Sequence, residues 1–275
     1  VQQVRQPAVA GSFYPEQQQT LANNVNDLLK ASSLEATWST QSEVQPDEVW
    51  PAPKAIIVPH AGYIYSGSVA AMAYARLTAV RDTIKRVVLL GPVHRIPVHG
   101  MALPEASVFA TPLGDIQIDQ TAVSAIKNMS QVVISSAAHA QEHSLEVQLP
   151  FLQSVLDNFN LLPLAVGYAT PTEVAEVLDV LWGGSETLIV ISSDLSHFLP
   201  YQTAQKTDAE TIQNILQLQA TLNHEQACGG TPVNGLLLAA KQHQLQPHLL
   251  DHRNSGDTAG DKNRVVGYAS IAFMG

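Results

Sequence analysis

The stretch Thr187-Leu188-Ile189-Val190-Ile191-Ser192-Ser193-Asp194-Leu195-Ser196-His197 decides how this chain is read. Four apolar residues in a row, with a polar residue at each end, suit a short strand covered on both faces. The segment then turns abruptly polar and offers Ser, Asp and His together. In open α/β sheets, ligands bind just beyond the carboxyl ends of the strands. The strand and its polar sequel therefore predict both an architecture and a place to look for chemistry.

Working outward, similar runs recur: Ala55–Val58, Arg86–Leu90, Val132–Ser135, Leu161–Val166, and a last pair, His248–Asp251 and Val265–Phe273. Helical stretches alternate with them. Thr170-Pro171-Thr172-Glu173 reads as a capping box with Pro at the first helical position. Val174, Val177, Leu178 and Leu181 then fall on one helical face. Thr231-Pro232 opens another helix, through Leu236 to Ala240, and an earlier one lies near Leu21 to Leu29. Such alternation predicts an α/β fold: a single-domain α/β/α sandwich on a mostly parallel central sheet, spanning residues 1–275. Residues 31–53, rich in Ser, Thr, Gln, Glu and Pro, read as an exposed loop. Gly100 to Ile118 breaks the alternation and is expected to add short strands or a lid. No internal repeat is visible.

Composition narrows the function. Of 275 residues, 45% are hydrophobic, enough for a sizeable core, and 14% are charged, below the usual quarter. With 24 acidic and 14 basic side chains the net charge is −10, which argues against a nucleic-acid partner. No apolar run reaches the roughly 18 residues of a membrane span. Cys228 is the sole cysteine, so no internal disulfide forms. The N-terminal stretch lacks a signal-like apolar run. A soluble, cytoplasmic protein is the expectation, and the start at Val1 leaves a removed leader open.

Three strand ends deliver a histidine to one rim: Pro59-His60, Gly91-Pro92-Val93-His94, and Asp194-Leu195-Ser196-His197. Glu142-His143-Ser144 precedes a helix, and Cys228-Gly229-Gly230 stands ahead of another. Each piece has an ordinary explanation. A lone histidine after a strand usually hydrogen-bonds within a turn, a lone cysteine usually fills space, and Asp194 suits a turn cap. Glu142 and Glu146 suit solvated first-turn positions. Recurrence at a single rim favours a metal site instead. Imidazole suits Fe, Cu, Zn and Ni, and a thiolate favours softer ions. The helix start after Cys228 is expected to favour its thiolate. Two histidines and one anionic ligand with open positions serve O2 chemistry on non-haem iron, or hydrolysis on zinc. His99, His139, His224, His243, His248 and His252 read as surface or structural residues. No phosphate loop, dinucleotide fingerprint or G-x-S-x-G elbow is present.

Taken in order, Ala10-Gly11-Ser12-Phe13-Tyr14-Pro15, Pro59-His60-Ala61-Gly62-Tyr63, Gly91-Pro92-Val93-His94, Thr111-Pro112-Leu113-Gly114-Asp115, Glu142-His143-Ser144-Leu145-Glu146, Ser192 to His197, Cys228-Gly229 and Asn254-Ser255-Gly256-Asp257 resemble the Memo family, also called AmmeMemoRadiSam system protein B. That family is similar to the class III extradiol dioxygenases. The resemblance implies metal ligands at His60, His94 and Cys228. It implies His197 as catalytic base, with Asp194 beside it, and His143 as a histidine supporting the ligands or touching substrate. Where the dioxygenases hold a glutamate, this chain has Cys228, so the thiolate donates more charge and is itself oxidisable. Fe(II) or copper is the implied metal, with zinc less favoured, and a small aromatic or diol-like molecule the implied substrate. Tyr63 is expected to line the pocket. The alternative is a metal carrier, redox partner or peptide-binding adaptor on the same scaffold, with a radical-SAM or peptide partner.

Overall fold

The computed structural model describes residues 3–38 and 51–275. The chain begins with strand β1 (Val4–Arg5) and helix α1 (Gln18–Trp38). Strand β2 (Ala55–Val58) leads to α2 (Tyr63–Tyr74), and β3 (Arg86–Pro92) ends two residues before His94. Three short strands follow, β4 (Met101–Leu103), β5 (Val108–Thr111) and β6 (Gly114–Gln117), then α3 (Gln120–Ile126) and β7 (Val132–Ile134). Helices α4 (Ser136–Ala140), α5 (His143–Glu146) and α6 (Leu149–Val155) precede β8 (Asn160–Val166). The remainder runs α7 (Pro171–Leu181), β9 (Thr187–Ser192), β10 (His197–Leu199), α8 (Tyr201–Leu216), α9 (Gly230–Gln242), β11 (Gln246–Asn254) and β12 (Val265–Met274).

A nine-stranded sheet in the order β10-β12-β2-β9-β3-β8-β4-β7, with β11 also paired to β12, forms the centre. The four inner strands β2-β9-β3-β8 are parallel throughout. Their uniform apolarity follows from burial on both faces. On β2, Ile56 and Val58 enter one core while Ala55 and Ile57 enter the other. Strand β9 repeats the pattern, with Leu188 and Val190 on one side and Ile189 and Ile191 on the other. Each large side chain so buried contributes about 2 kcal/mol. The margins are mixed: β12 is antiparallel to β2, β11 and β10, and β4 is antiparallel to β8. The parallel expectation thus holds at the centre, and β11 and β12, consecutive in the chain without a crossover helix, pair antiparallel. Residues 100–118 supply β4 to the large sheet, and β5 and β6 to a three-stranded sheet with β1.

Helix α7 starts at the expected capping box: Glu173 N–H donates to Thr170 Oγ1 at 3.2 Å, and Thr170 N–H donates back to the Glu173 carboxylate at 2.7 Å. Its four periodic apolar residues are all buried. The loop expected over 31–53 needs correction at its start, because α1 continues through Trp38. Leu34, Glu35 and Ala36 are good helix formers that outweigh the serines before them. Residues 39–50 of that expected loop lie outside the described residues.

Glu142 and Glu146 also depart from expectation, being 2% and 0% exposed rather than solvated. Glu146 anchors the N-terminal segment. Its carboxylate receives Ala8 N–H at 2.8 Å, Val9 N–H at 3.0 Å and Tyr14 O–H at 2.6 Å, and pairs with the buried Arg5 guanidinium. Arg5 in turn donates to the carbonyls of Glu142 (2.9 Å) and His139 (3.1 Å). The N-terminus is thereby bolted to the helices that carry His143. His139 is structural, as expected, and buried, with Nε2–H directed at the Ala102 carbonyl at 2.8 Å.

Two expectations follow for stability. Glu146→Gln leaves Arg5 buried without its counter-charge, so urea unfolding should show a loss of about 3 kcal/mol; a change under about 0.5 kcal/mol would contradict the anchoring role. Burial, assisted by the Arg5 charge and opposed by the Ala102 bond and Glu142, lowers the His139 pKa from 6.5 to about 4. The unfolded chain then binds the extra proton first. Stability is full above pH 6.5 and falls as pH drops towards 4, by about 3 kcal/mol from this group. His139→Gln should flatten that slope in a pH series of unfolding midpoints.

Candidate metal centre

Because β2, β9 and β3 are adjacent and parallel, their carboxyl ends open onto one rim. His60 follows β2, Asp194 follows β9 and His94 follows β3, each two residues past its strand. Helix α5 begins with His143 at the same place. His60, His94 and His143 each offer a ring nitrogen, and the three nitrogens lie within 4.8 Å of one another. The Cys228 sulfur stands 3.2 Å from His60 Nε2. Ligands at about 2.0 Å and 2.3 Å from one tetrahedral ion would stand about 3.5 Å apart. Gly229 brings the Cys228 turn this close: its N–H donates to Ser193 Oγ at 2.9 Å, and a Cβ there would sit 2.7 Å from the Ser193 Cβ.

The hydrogen bonds behind the rings assign the tautomers. The Ser192 hydroxyl donates to the Ser144 carbonyl (2.6 Å) and accepts from the Gln148 amide (2.8 Å). With its proton committed, Ser192 must accept from His60 Nδ1–H at 2.9 Å, which leaves a lone pair on His60 Nε2 beside Cys228. Gln148 is itself fixed, donating to the Pro59 carbonyl and accepting from Tyr74 O–H. On His94, Nδ1–H donates to Glu142 Oε1 at 2.8 Å, again freeing Nε2. Glu142 also accepts the backbone N–H groups of His94 (2.6 Å) and Ser144 (2.9 Å), and lies 3.4 Å from His143 Nδ1. Carboxylate–histidine pairing of this kind is the usual support of a metal-ligating imidazole.

Burial favours the neutral form of two of these rings, His60 and His143. Burial, then the neighbouring His94 and His143, hold His60 well below the ordinary histidine value. Burial and His94 likewise lower His143. Burial works against the Glu142 carboxylate, but the bonds and charge of His94 and the backbone donors outweigh it and bring its pKa down to about 2. Cys228 goes the other way from the helix-start expectation. Burial and the Asp194 charge push its thiol up to about 12, because desolvation exceeds the pull of the nearby N–H groups.

The other residues singled out in the sequence also converge here. His197 lines a cleft of about 560 Å³ with His60, His94, His143 and Asp194. Its Nδ1–H donates to the Leu195 carbonyl at 2.9 Å, so that carbonyl, rather than Asp194, orients the ring. Asp194 instead accepts His60 N–H at 2.7 Å, and burial raises its carboxyl. Tyr63 does not line the cleft: it is buried and donates to the Val147 carbonyl at 2.6 Å, while Tyr65 takes the wall position. Sequence reasoning missed the supporting groups Ser192 and Gln148 and set His224 aside. His224 lines a second cleft, of about 410 Å³, together with His94 and Cys228.

The profile of the Memo-like protein family matches residues 5–272. The chain belongs to the Memo-like family. Relatives named "MEMO1 family protein" in Metallosphaera sedula and Ignicoccus hospitalis are each 35% identical to it. The alignments cover 98% of this chain and 99% and 98% of those proteins. A relative of the same name in Sulfurisphaera tokodaii is 34% identical over 98% of this chain and 99% of its own length. Among solved structures, an uncharacterized protein of Escherichia coli K12 shares the fold, with a TM-score of 0.51 at 13% identity, over 80% of this chain and 99% of that one. Among the described residues of this Memo-like chain, no helix is long and apolar enough to cross a membrane.

Glu142→Gln should test the support given to the ligands. It keeps the shape but removes the charge behind His94, and metal affinity measured by competition with a chelator should fall about 10- to 100-fold. Unchanged affinity would remove His94 from the ligand set.

Proposed function

We propose that this chain is a mononuclear metal-dependent oxidoreductase related to the extradiol dioxygenases. It would hold Fe(II) or copper on His60, His94 and Cys228, with His143 alongside, and act on a small aromatic or diol-like substrate. One observation carries the reading. Two imidazoles have their Nδ1 hydrogens committed to Ser192 and Glu142, so both present a free Nε2 lone pair at the cleft, one of them beside a sulfur. Three imidazoles and a thiol fit a borderline to soft transition metal and do not fit Mg²⁺ or Ca²⁺. Such a metal supplies one-electron chemistry and contact with O2 when bound.

The chain's own groups do the rest. His197, its Nδ1–H held by Leu195, has Nε2 free to take a proton from a substrate hydroxyl. His143 donates towards negative charge developing on the substrate. Phe13, which lies 4.7 Å from His143 between ring centroids, walls the cleft and sheds water from it. Asp194 keeps the His60 backbone in place.

A second reading, a metal carrier or redox partner for a radical-SAM or peptide partner, is favoured by the second cleft at Cys228, which gives the sulfur a route to another molecule's ligand. Metal analysis of anaerobically purified protein, followed by oxygen uptake with a panel of catechols, separates the two. Iron or copper with O2 consumption supports the enzyme; bound metal with no consumption supports the carrier. Cys228→Ser should weaken metal binding without unfolding the protein. His197→Ala should keep the metal and lower turnover about 100-fold or more; loss of metal instead would make His197 a ligand.

A further inference from the structure

The catalytic reading leaves one wall of the cleft unused. Phe198 and Arg264 line it together with the histidines. Phe198 is 59% exposed, an uncommon setting for a large aromatic, and its φ of 61° is one that side-chain-bearing residues rarely adopt. Strain of this kind is retained where the surroundings require it, often at ligand sites. The Arg264 guanidinium lies 4.9 Å over the Phe198 ring. Among the described residues it makes no ion pair. The nearby Asp261 carboxylate is turned to a neighbouring backbone group, accepting Asn263 N–H at 2.7 Å. Arg264 is exposed, so its guanidinium is open to a ligand in the cleft.

Topology brings this cation to the edge that carries the base. His197 on β10 stands opposite Val266 on β12, the pairing is irregular between His197 and Leu199, and Arg264 lies in the bend just before β12. His197 and Arg264 line the same cleft, so one small molecule in it can meet both.

We propose that Arg264, laid across Phe198, reads an anion on the ligand, so that the substrate class of this cleft is a small aromatic acid carrying a single carboxylate. The inference rests on the aromatic-substrate reading above and adds the charged substituent. A guanidinium matches a carboxylate in two parallel hydrogen bonds, and the Phe198 ring keeps its plane in place. One unpaired guanidinium close to Asp261 offsets one negative charge, which favours a carboxylate over a doubly charged phosphate.

The test needs no turnover, so it stays separate from the oxidoreductase reading. Benzoate, benzamide and phenyl phosphate are titrated calorimetrically into the full-length, metal-loaded protein at low and moderate salt. Benzoate should bind about tenfold or more tightly than benzamide, as expected for a charge-assisted contact. Arg264→Met should remove that preference, so that benzoate binds no more tightly than benzamide, and Arg264→Lys should restore part of it. Unaltered thermal melting of the variants confirms that the fold is kept. Equal binding of benzoate and benzamide, a preference that survives Arg264→Met, tighter binding of phenyl phosphate, or no benzoate binding at millimolar concentration would each overturn the proposal. An Arg264-dependent benzoate preference without oxygen uptake would leave it standing and defeat only the enzymatic reading.

Discussion

Two histidines at the cleft, His60 and His94, each have one ring nitrogen committed to a fixed partner, and the organisation of this chain serves that constraint. Ser192 and Glu142 each take an Nδ1 hydrogen. Neither works alone. Ser192 can accept from His60 only because the Ser144 carbonyl takes its own proton, and Gln148 fixes the arrangement from the other side. Glu142 remains ionised although buried, because the His94 and Ser144 backbone donors join the imidazole in holding it. Two imidazoles with Nε2 facing the cleft, one of them beside a sulfur, emerge from hydrogen bonds that themselves lie beneath the cleft.

The fold delivers these pieces by topology. Parallel strands β2, β9 and β3 place His60, Asp194 and His94 side by side although they are far apart in sequence. The segment from Glu142 to Gln148 then meets all three strand ends, supplying Glu142, His143, Ser144 and Gln148 within seven residues. Arg5 and Tyr14 lock that segment through Glu146, so the N-terminal turn supports the site from behind and also lends Phe13 to the cleft wall. Destabilising this anchor and disabling the site are therefore linked through one stretch of chain.

Much of this was legible in the sequence, for physical reasons. Strands β2 and β9 declare themselves as continuous apolar runs, because both faces are buried, and their ends mark the rim. The capping box of α7 is local chemistry and is read locally. What escaped was long-range. Arg5 and Glu146 are 141 residues apart, and nothing in the neighbourhood of either announces the pair. Ser192 looks like the last residue of an ordinary strand, yet its hydroxyl chooses the tautomer of His60. The helix-start position of Cys228 suggested an easily ionised thiol, whereas burial, a tertiary property, sets it the other way. The same limit explains α1, where a polar composition obscured the helix formers beyond Ser33.

The central proposal is that His60, His94 and Cys228 hold one ion between them. X-ray absorption at the edge of the bound metal addresses it directly. The account predicts one sulfur scatterer at about 2.3 Å together with imidazole nitrogens at about 2.0 Å, the sulfur being lost in Cys228→Ser. A first shell of nitrogen and oxygen alone, identical in the natural protein and in that variant, would contradict it.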